Sequence, residues 1–326
     1  MKWLHHFFLR FAFYRYLIEW TKYIILPGFR PLPLYTVIDF FIKEITNSSL
    51  VNRASSLAYS FMLALFPATI FLFTLIPYVP IHNFQRELLR ILATIMPTNA
   101  YLAFRDTIID IIKNQNGKLL SFGFLSTIYF ATNGVTNLMK AFNKSSLITD
   151  RRSWLKRRLT ALLLTVAISL ALFIAIGIMI AAQALISSIR QHLDSTSHFW
   201  IYPIFLLRWI VIIIIFFVTV SFLYRYGPAH KKKWKFINPG SILATGLAVL
   251  TSLGFSYYIN NFSSYNKVYG SIGTLIVVML WMYLNSLILL IGFELNASIE
   301  LSKRNIRIVK PRYNSFRGKK SDISKN

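Results

Sequence analysis

Six long apolar runs constrain this chain more than any other feature: 57–79, 119–141, 159–186, 199–223, 240–259 and 271–293. An α-helix crosses about 30 Å of hydrocarbon with about 20 mostly apolar residues, and each run meets that length. The third run holds no charge at all. With 55% hydrophobic residues, a water-soluble fold would have to expose apolar surface on a scale that soluble monomers avoid. A membrane β-barrel predicts segments of about ten residues with alternating polarity. These runs are continuous, so the expected fold is all-α: a polytopic membrane helix bundle of six spans with amphipathic interfacial helices.

The net charge of +25 suggests nucleic acid on a soluble protein, but the basic residues are concentrated in alternate gaps between the runs. Segments 1–53, 142–158, 225–239 and 294–326 together hold 27 Lys and Arg, whereas 81–118, 188–198 and 261–270 hold 7. Basic loops stay on the cytoplasmic side, so both termini are expected in the cytoplasm of a bacterial inner membrane. The expected partners are membrane lipids, through anionic head groups at the cytoplasmic face, and not nucleic acid.

Residues 1–46 are expected to form N-terminal amphipathic or interfacial helices on the cytoplasmic side. Leu34, Val37, Ile38, Phe41 and Ile45 recur at helical spacing, opposite Asp39, Lys43 and Glu44. Residues 47–300 make up the six-helix transmembrane domain. Its outer gap, 81–118, carries two further amphipathic patterns that are too short to span. Residues 301–326 read as a basic cytoplasmic tail without an apolar period, hence disordered. No internal repeat is visible.

A polar side chain facing hydrocarbon is costly, so those within spans usually face the bundle interior or a wet cavity. In the second span Ser126, Tyr129, Asn133, Asn137 and Lys140 follow one another at steps of three and four, which places them on one helical face. The stripe either lines a cavity or holds helices together by hydrogen bonds. Arg208 in the fourth span, and Asn285 and Glu294 in the sixth, complete the candidate pathway. Glu294 could meet Lys140 across the bundle. Pro67 removes one hydrogen bond inside the first span and is the candidate hinge or kink. Small residues recur on the fifth span (Ala244, Ala248, Ser252, Ser256) and on the third (Ala161, Thr165, Ser169, Gly177, Ala181), as on close-packed membrane helices.

Enzymatic constellations are missing from the sequence. There is no cysteine, the six histidines are scattered, and eleven acids form no cluster fit for metal-assisted hydrolysis. Asp106 and Asp110, one turn apart, read as a solvated helix face. No catalytic residue, metal site or cofactor is expected.

Ala54-Ser55-Ser56-Leu57-Ala58-Tyr59 and Leu65-Phe66-Pro67 resemble the opening motif of the YihY/BrkB family of bacterial inner-membrane proteins. The likeness continues through Asn137, Trp154, Arg157 and Arg158, then Pro239-Gly240, Phe255, Tyr258, Phe262 and Tyr265. Tyr269-Gly270-Ser271 with Gly273, and then Trp281, Tyr283, Gly292 and Glu294, close it. Residues 40–300 are covered, and Tyr59, Tyr265, Tyr269, Gly270 and Gly273 are the family-motif positions. The resemblance implies a six-span protein from a group without one established activity. One member bore a ribonuclease label now regarded as a misassignment, and others are linked to serum resistance or to export of lipid-linked envelope components. The resulting expectation is a transporter-like or flippase-like protein that moves an anionic lipid-linked component or small solute. A non-transporting scaffold or envelope-assembly factor is the alternative, and a membrane-embedded hydrolase the third reading.

Overall fold

The computed structural model describes residues 33–47, 50–78, 115–146, 149–192, 201–230, 234–260 and 263–314, with Thr21 and Ile109 singly. Among them the chain is all-helical. The helices are α1 (Leu34–Asn47), α2 (Leu50–Leu75, followed by a 3-10 turn Ile76–Tyr78), α3 (Gly117–Ser145) and α4 (Trp154–His192). They continue with α5 (Ile201–Tyr226), α6 (Pro239–Asn260) and α7 (Ser263–Asn314). The helices expected within 1–33 and 81–118 lie outside the described residues.

Each apolar run of the sequence corresponds to one of the helices α2 to α7; the described part of 57–79 ends in the 3-10 turn after α2, and that of 199–223 begins with α5 at Ile201. Five of these (α2, α4, α5, α6 and α7) are long and apolar enough to cross a membrane. The helix that departs from the expectation is α3. Its 29 residues reach about 43 Å at 1.5 Å per residue, yet its composition is less lipophilic. Its surroundings explain this: α3 packs against α2, α4 and α7. Thr132, Gly134, Thr136 and Phe142 are buried on it, so this part of the helix faces other helices and tolerates more polar residues.

From α2 to α7 consecutive helices are neighbours, and α7 closes back onto α2, so these six form a ring. The connected core lies towards one end of it. Leu50, Ala54 and Leu57 start α2, Leu138 and Phe142 end α3, and Ala161 and Leu164 start α4. Leu223 and Tyr224 end α5, Ala244 and Ala248 start α6, and Leu290 and Phe293 come from the middle of α7. At the centre Phe142 stacks on Phe293 with ring centroids 4.1 Å apart, and Tyr224 meets both rings edge-on at 5.5 Å. The Tyr224 hydroxyl donates to the Leu289 carbonyl at 2.7 Å, satisfying the one polar atom of a wholly buried ring.

Towards the opposite end the helices present apolar surface outward. Leu170, Leu172 and Phe173 on α4, and Leu250, Leu253 and Tyr257 on α6, are exposed, as lipid-facing residues would be. The small-residue faces behave accordingly. Ala161, Ala244 and Ala248 pack into the core, whereas Ser252 and Ser256 are exposed and a Cβ at Gly177 would touch nothing.

Glycine brings helices close at specific crossings. A Cβ on Gly240 would lie 2.0 Å from the Gly292 carbonyl oxygen, and one on Gly292 would lie 2.6 Å from that of Gly240. Asn238 caps α6 by accepting from Ser241 N–H at 2.8 Å, and it also accepts from the buried Asn296 amide at 2.5 Å. Asn296 in turn accepts from Gly240 N–H at 2.8 Å. A cap and an interhelical contact are thus one network.

Helix α1 docks outside the ring. Val37 is buried against Ile299 of α7, with Leu34 and Leu295 beside them, while Ile38 and Ile42 remain exposed. Helix α7 runs unbroken to Asn314, so the segment that composition reads as a disordered tail begins as helix. Residues 295–310 contain neither Gly nor Pro, and α1 packs against the start of this extension. Residues 315–326 lie outside the described residues.

Candidate functional site

Two stripes face each other where α2 begins and α3 ends. On α2, Arg53, Ser56, Leu57 and Ser60 fall at i, i+3, i+4 and i+7; on α3, Asn137, Lys140, Ala141 and Lys144 do the same. The helices approach closely further along, where Gly134 accommodates the Phe61 ring and Gly123 the backbone of Phe71. Nearer the end they enclose an open cleft of about 390 Å³. Arg53, Lys140 and Lys144 line it with Asn52, Ser56 and Asn137. That volume lies within the range of small-molecule sites, and every ionisable group in this lining is a cation.

Arg53 forms the floor. Its side chain is only 9% exposed, and its guanidinium lies 3.4 Å from the carboxylate of Glu294, which is wholly buried on α7. It also donates to the Ala141 carbonyl at 3.2 Å and to the Ser145 hydroxyl. Arg53 therefore joins α2, α3 and α7 at one point. The expected meeting of Glu294 with Lys140 does not occur: Glu294 pairs with Arg53, and Lys140 is exposed on the cleft. The two lie on different faces of the junction, with the α2 guanidinium against the carboxylate.

The second-span stripe divides between two neighbours. Asn137 donates to the Ser60 hydroxyl at 2.8 Å, towards α2. Asn133 accepts from the Arg158 guanidinium of α4, which also lies 5.2 Å from the centre of the exposed Tyr129 ring. Ser126 is half-buried, and Lys140 is exposed. Asn285 donates to the Trp281 carbonyl of its own helix at 2.8 Å, and Arg208 is half-buried beside Trp209. Neither lines the cleft, so of the eight pathway candidates it takes Asn137 and Lys140, with Glu294 beneath. Pro67 lies within an unbroken α2. Tyr59 is exposed and Gly273 buried. Tyr265, Tyr269 and Gly270 lie on the first turns of α7.

Polar contacts also tie the loops at this end. Asn143 donates to Asp150 at 3.2 Å and accepts from Ala229 N–H at 2.7 Å. Arg152 reaches both Asp150 oxygens, at 2.9 and 3.0 Å, and donates to the Gly227 carbonyl at 3.0 Å. Partial burial pushes the Asp150 carboxyl upward, but the Arg152 hydrogen bonds, with the charges of Arg152 and Arg157, outweigh it and hold the group below its ordinary value. This latch joins the α3–α4 connection to the α5–α6 connection.

Sequence reasoning did not single out Arg53, Arg152, Asn143, Asn238 or Asn296. For Arg53 a signal existed, because it heads a hydroxyl-bearing face of the first apolar run at steps of three and four. Arg152, Asn143 and Asn238 lie at or beside helix ends and Asn296 lies inside α7; their partners are distant in sequence, and no spacing announces them. Among the described residues no group of three or more His, Cys, Asp or Glu could hold a metal ion.

A helical ring with five membrane-length apolar helices and a cation-lined cleft at its packed end defines a polytopic membrane protein. Its family follows from comparison with known proteins. The chain belongs to the family described as Virulence factor BrkB, whose model matches residues 41–313. It is 30% identical to the ribonuclease-like protein YfkH of Bacillus subtilis over 81% of this chain and 96% of that protein. It is 25% identical to a UPF0761 membrane protein of Haemophilus influenzae, over 80% of this chain and 93% of the relative. The UPF0761 membrane protein Smlt0865 of Stenotrophomonas maltophilia is also 25% identical, over 80% of this chain, which spans 60% of that longer relative. No solved structure matches the chain.

Proposed function

We propose that this protein is a six-span inner-membrane transporter of flippase type, acting without catalysis on an anionic lipid-linked envelope component or small anionic solute. In this reading α3 is the sixth span, and the packed end with both termini faces the cytoplasm. The observation that carries it is the cleft lined by Arg53, Lys140 and Lys144 beside the buried Arg53–Glu294 pair. Cations at a membrane surface concentrate anionic head groups. The cleft opens at the end richest in Lys and Arg, which the insertion rule assigns to the cytoplasm.

The test is reconstitution of purified protein into phosphatidylcholine vesicles with a trace of head-group-labelled phosphatidylglycerol, whose exchange between leaflets is followed by dithionite quenching. Wild-type protein accelerates the exchange, and Lys140→Glu slows it. Folded protein that leaves the exchange at the rate of empty vesicles, for this probe and for an entrapped anionic dye, refutes the reading. Because the chain has no cysteine, single labels at Ser153→Cys and Gln115→Cys test orientation directly. Ser153→Cys is expected to react only from the cytoplasm and Gln115→Cys only from outside.

A second reading, a non-transporting scaffold, is favoured by the bonds Asn137–Ser60 and Asn133–Arg158, which use the polar stripe to join helices. It predicts that Asn133→Leu lowers stability while no probe crosses the vesicles.

A further inference from the structure

We infer that the cleft between α2 and α3 is a binding site for a phosphate ester, and that Arg53 is shared between this ligand and Glu294. The inference deepens the proposed function by naming the chemistry the cleft would recognise.

Three features favour phosphate over other anions. First, three cations line one cleft of about 390 Å³, more than a single carboxylate requires. A phosphate group carries one or two charges and offers several acceptor oxygens. Second, the donors are of mixed kind. A guanidinium fork suits bidentate phosphate recognition, two ammonium groups supply point charge, and Ser56, Asn52 and Asn137 add neutral donors to the lining. Third, Arg53 is held in place before any ligand arrives. The Ala141 carbonyl, the Ser145 hydroxyl and Glu294 fix its guanidinium, and its buried Nε finds no acceptor among the described residues. An anion in the cleft therefore meets a charge that is already desolvated and oriented, and less ordering is required on binding.

The same geometry sets up a competition. Glu294 lies against the guanidinium that would hold the phosphate, so its negative charge opposes the incoming anion. Neutralising Glu294 should tighten binding, whereas removing either lysine should weaken it. A purely structural ion pair does not predict opposite signs from these substitutions.

The experiment uses full-length protein in phosphatidylcholine nanodiscs, titrated calorimetrically at low and at physiological salt. The probes are water-soluble dihexanoyl phosphatidic acid, inorganic phosphate, and decanoate as a carboxylate control. Wild-type protein should bind at least one phosphate probe more tightly than decanoate. Lys140→Gln and Lys144→Gln should each weaken binding by about three- to tenfold, the size of one charge contact near a protein surface. Glu294→Gln should tighten it severalfold. Binding of phosphatidic acid alone assigns the site to a lipid head group, and binding of both phosphate probes with similar affinity assigns it to the phosphate itself. Equal binding of decanoate, or affinities unmoved by both lysine substitutions, overturns the inference. The lysines are exposed or cleft-lining, so this arm stands even where Glu294→Gln fails to fold. Failure here with vesicle exchange intact removes only the phosphate assignment. Intact binding with no exchange removes only the transport reading.

Discussion

Replacing Gly240 by alanine tests the tightest contact in the ring. The added Cβ would sit 2.0 Å from the Gly292 carbonyl oxygen and 2.6 Å from the Asn296 amide. Ordinary contact begins near 3.4 Å, so α6 and α7 must separate by roughly 1 Å or more. Overpacking of this kind costs about 1–3 kcal/mol. Separation also stretches the 2.8 Å bond from Gly240 N–H to Asn296, worth about 0.5–1.5 kcal/mol. The expected loss is about 2–4 kcal/mol, a fall in melting temperature on the order of 3–6 °C for a chain of this length. Two glycines on the same helix provide the control. A Cβ at Gly246 or Gly254 meets nothing within 4 Å, so Gly246→Ala and Gly254→Ala should be neutral or stabilise by up to about 1 kcal/mol through helix propensity. The assay is thermal unfolding in detergent, followed by the loss of the monodisperse size-exclusion peak. Equal melting temperatures for Gly240→Ala and Gly246→Ala would refute the crossing.

Arg53→Met takes the guanidinium away from the buried Glu294 carboxylate and should cost about 3–5 kcal/mol; Glu294→Met in the same chain should recover most of it, as read by a double-mutant cycle of melting temperatures. Asp150 should make the loop latch acid-sensitive. Because its folded pKa is depressed, its contribution is fully present above the unfolded value of about 3.9 and is lost as pH falls through the folded value. Wild-type stability should therefore drop below about pH 4 by more than that of Asp150→Asn, with melting temperature against pH as the measurement. Asn133→Leu takes the acceptor away from Arg158 and should lower stability by about 1–3 kcal/mol, whereas Lys140→Gln should leave the melting temperature unchanged.

Much of the fold was legible because lipid imposes a coarse, one-dimensional rule. Length and apolarity alone located the helices; some ends moved by only a few residues, as at 119–141 against Gly117–Ser145, whereas α7 extends 21 residues beyond the end of its apolar run. The case of α3 shows the limit of that rule. Hydropathy measures fitness for lipid, and a helix surrounded by other helices is partly released from it. Helical spacing likewise identified the stripe from Ser126 to Lys140, but spacing cannot say which neighbour each side chain meets. Asn137 turned to α2 and Asn133 to α4.

The chain's own order of residues determined the all-helical class, the apolar segments, the basic gaps between them and the amphipathic helix at 34–47. Each depends on residues close in sequence, through helical periodicity or the partition between lipid and water. Tertiary structure alone decided that Arg53 faces Glu294, residues 241 positions apart in the chain, that Gly240 crosses Gly292, and that Asn143, Asp150 and Arg152 join two loops. Those contacts depend on how helices rotate about their axes and where they cross. Many side chains set that rotation together, and no local pattern encodes it.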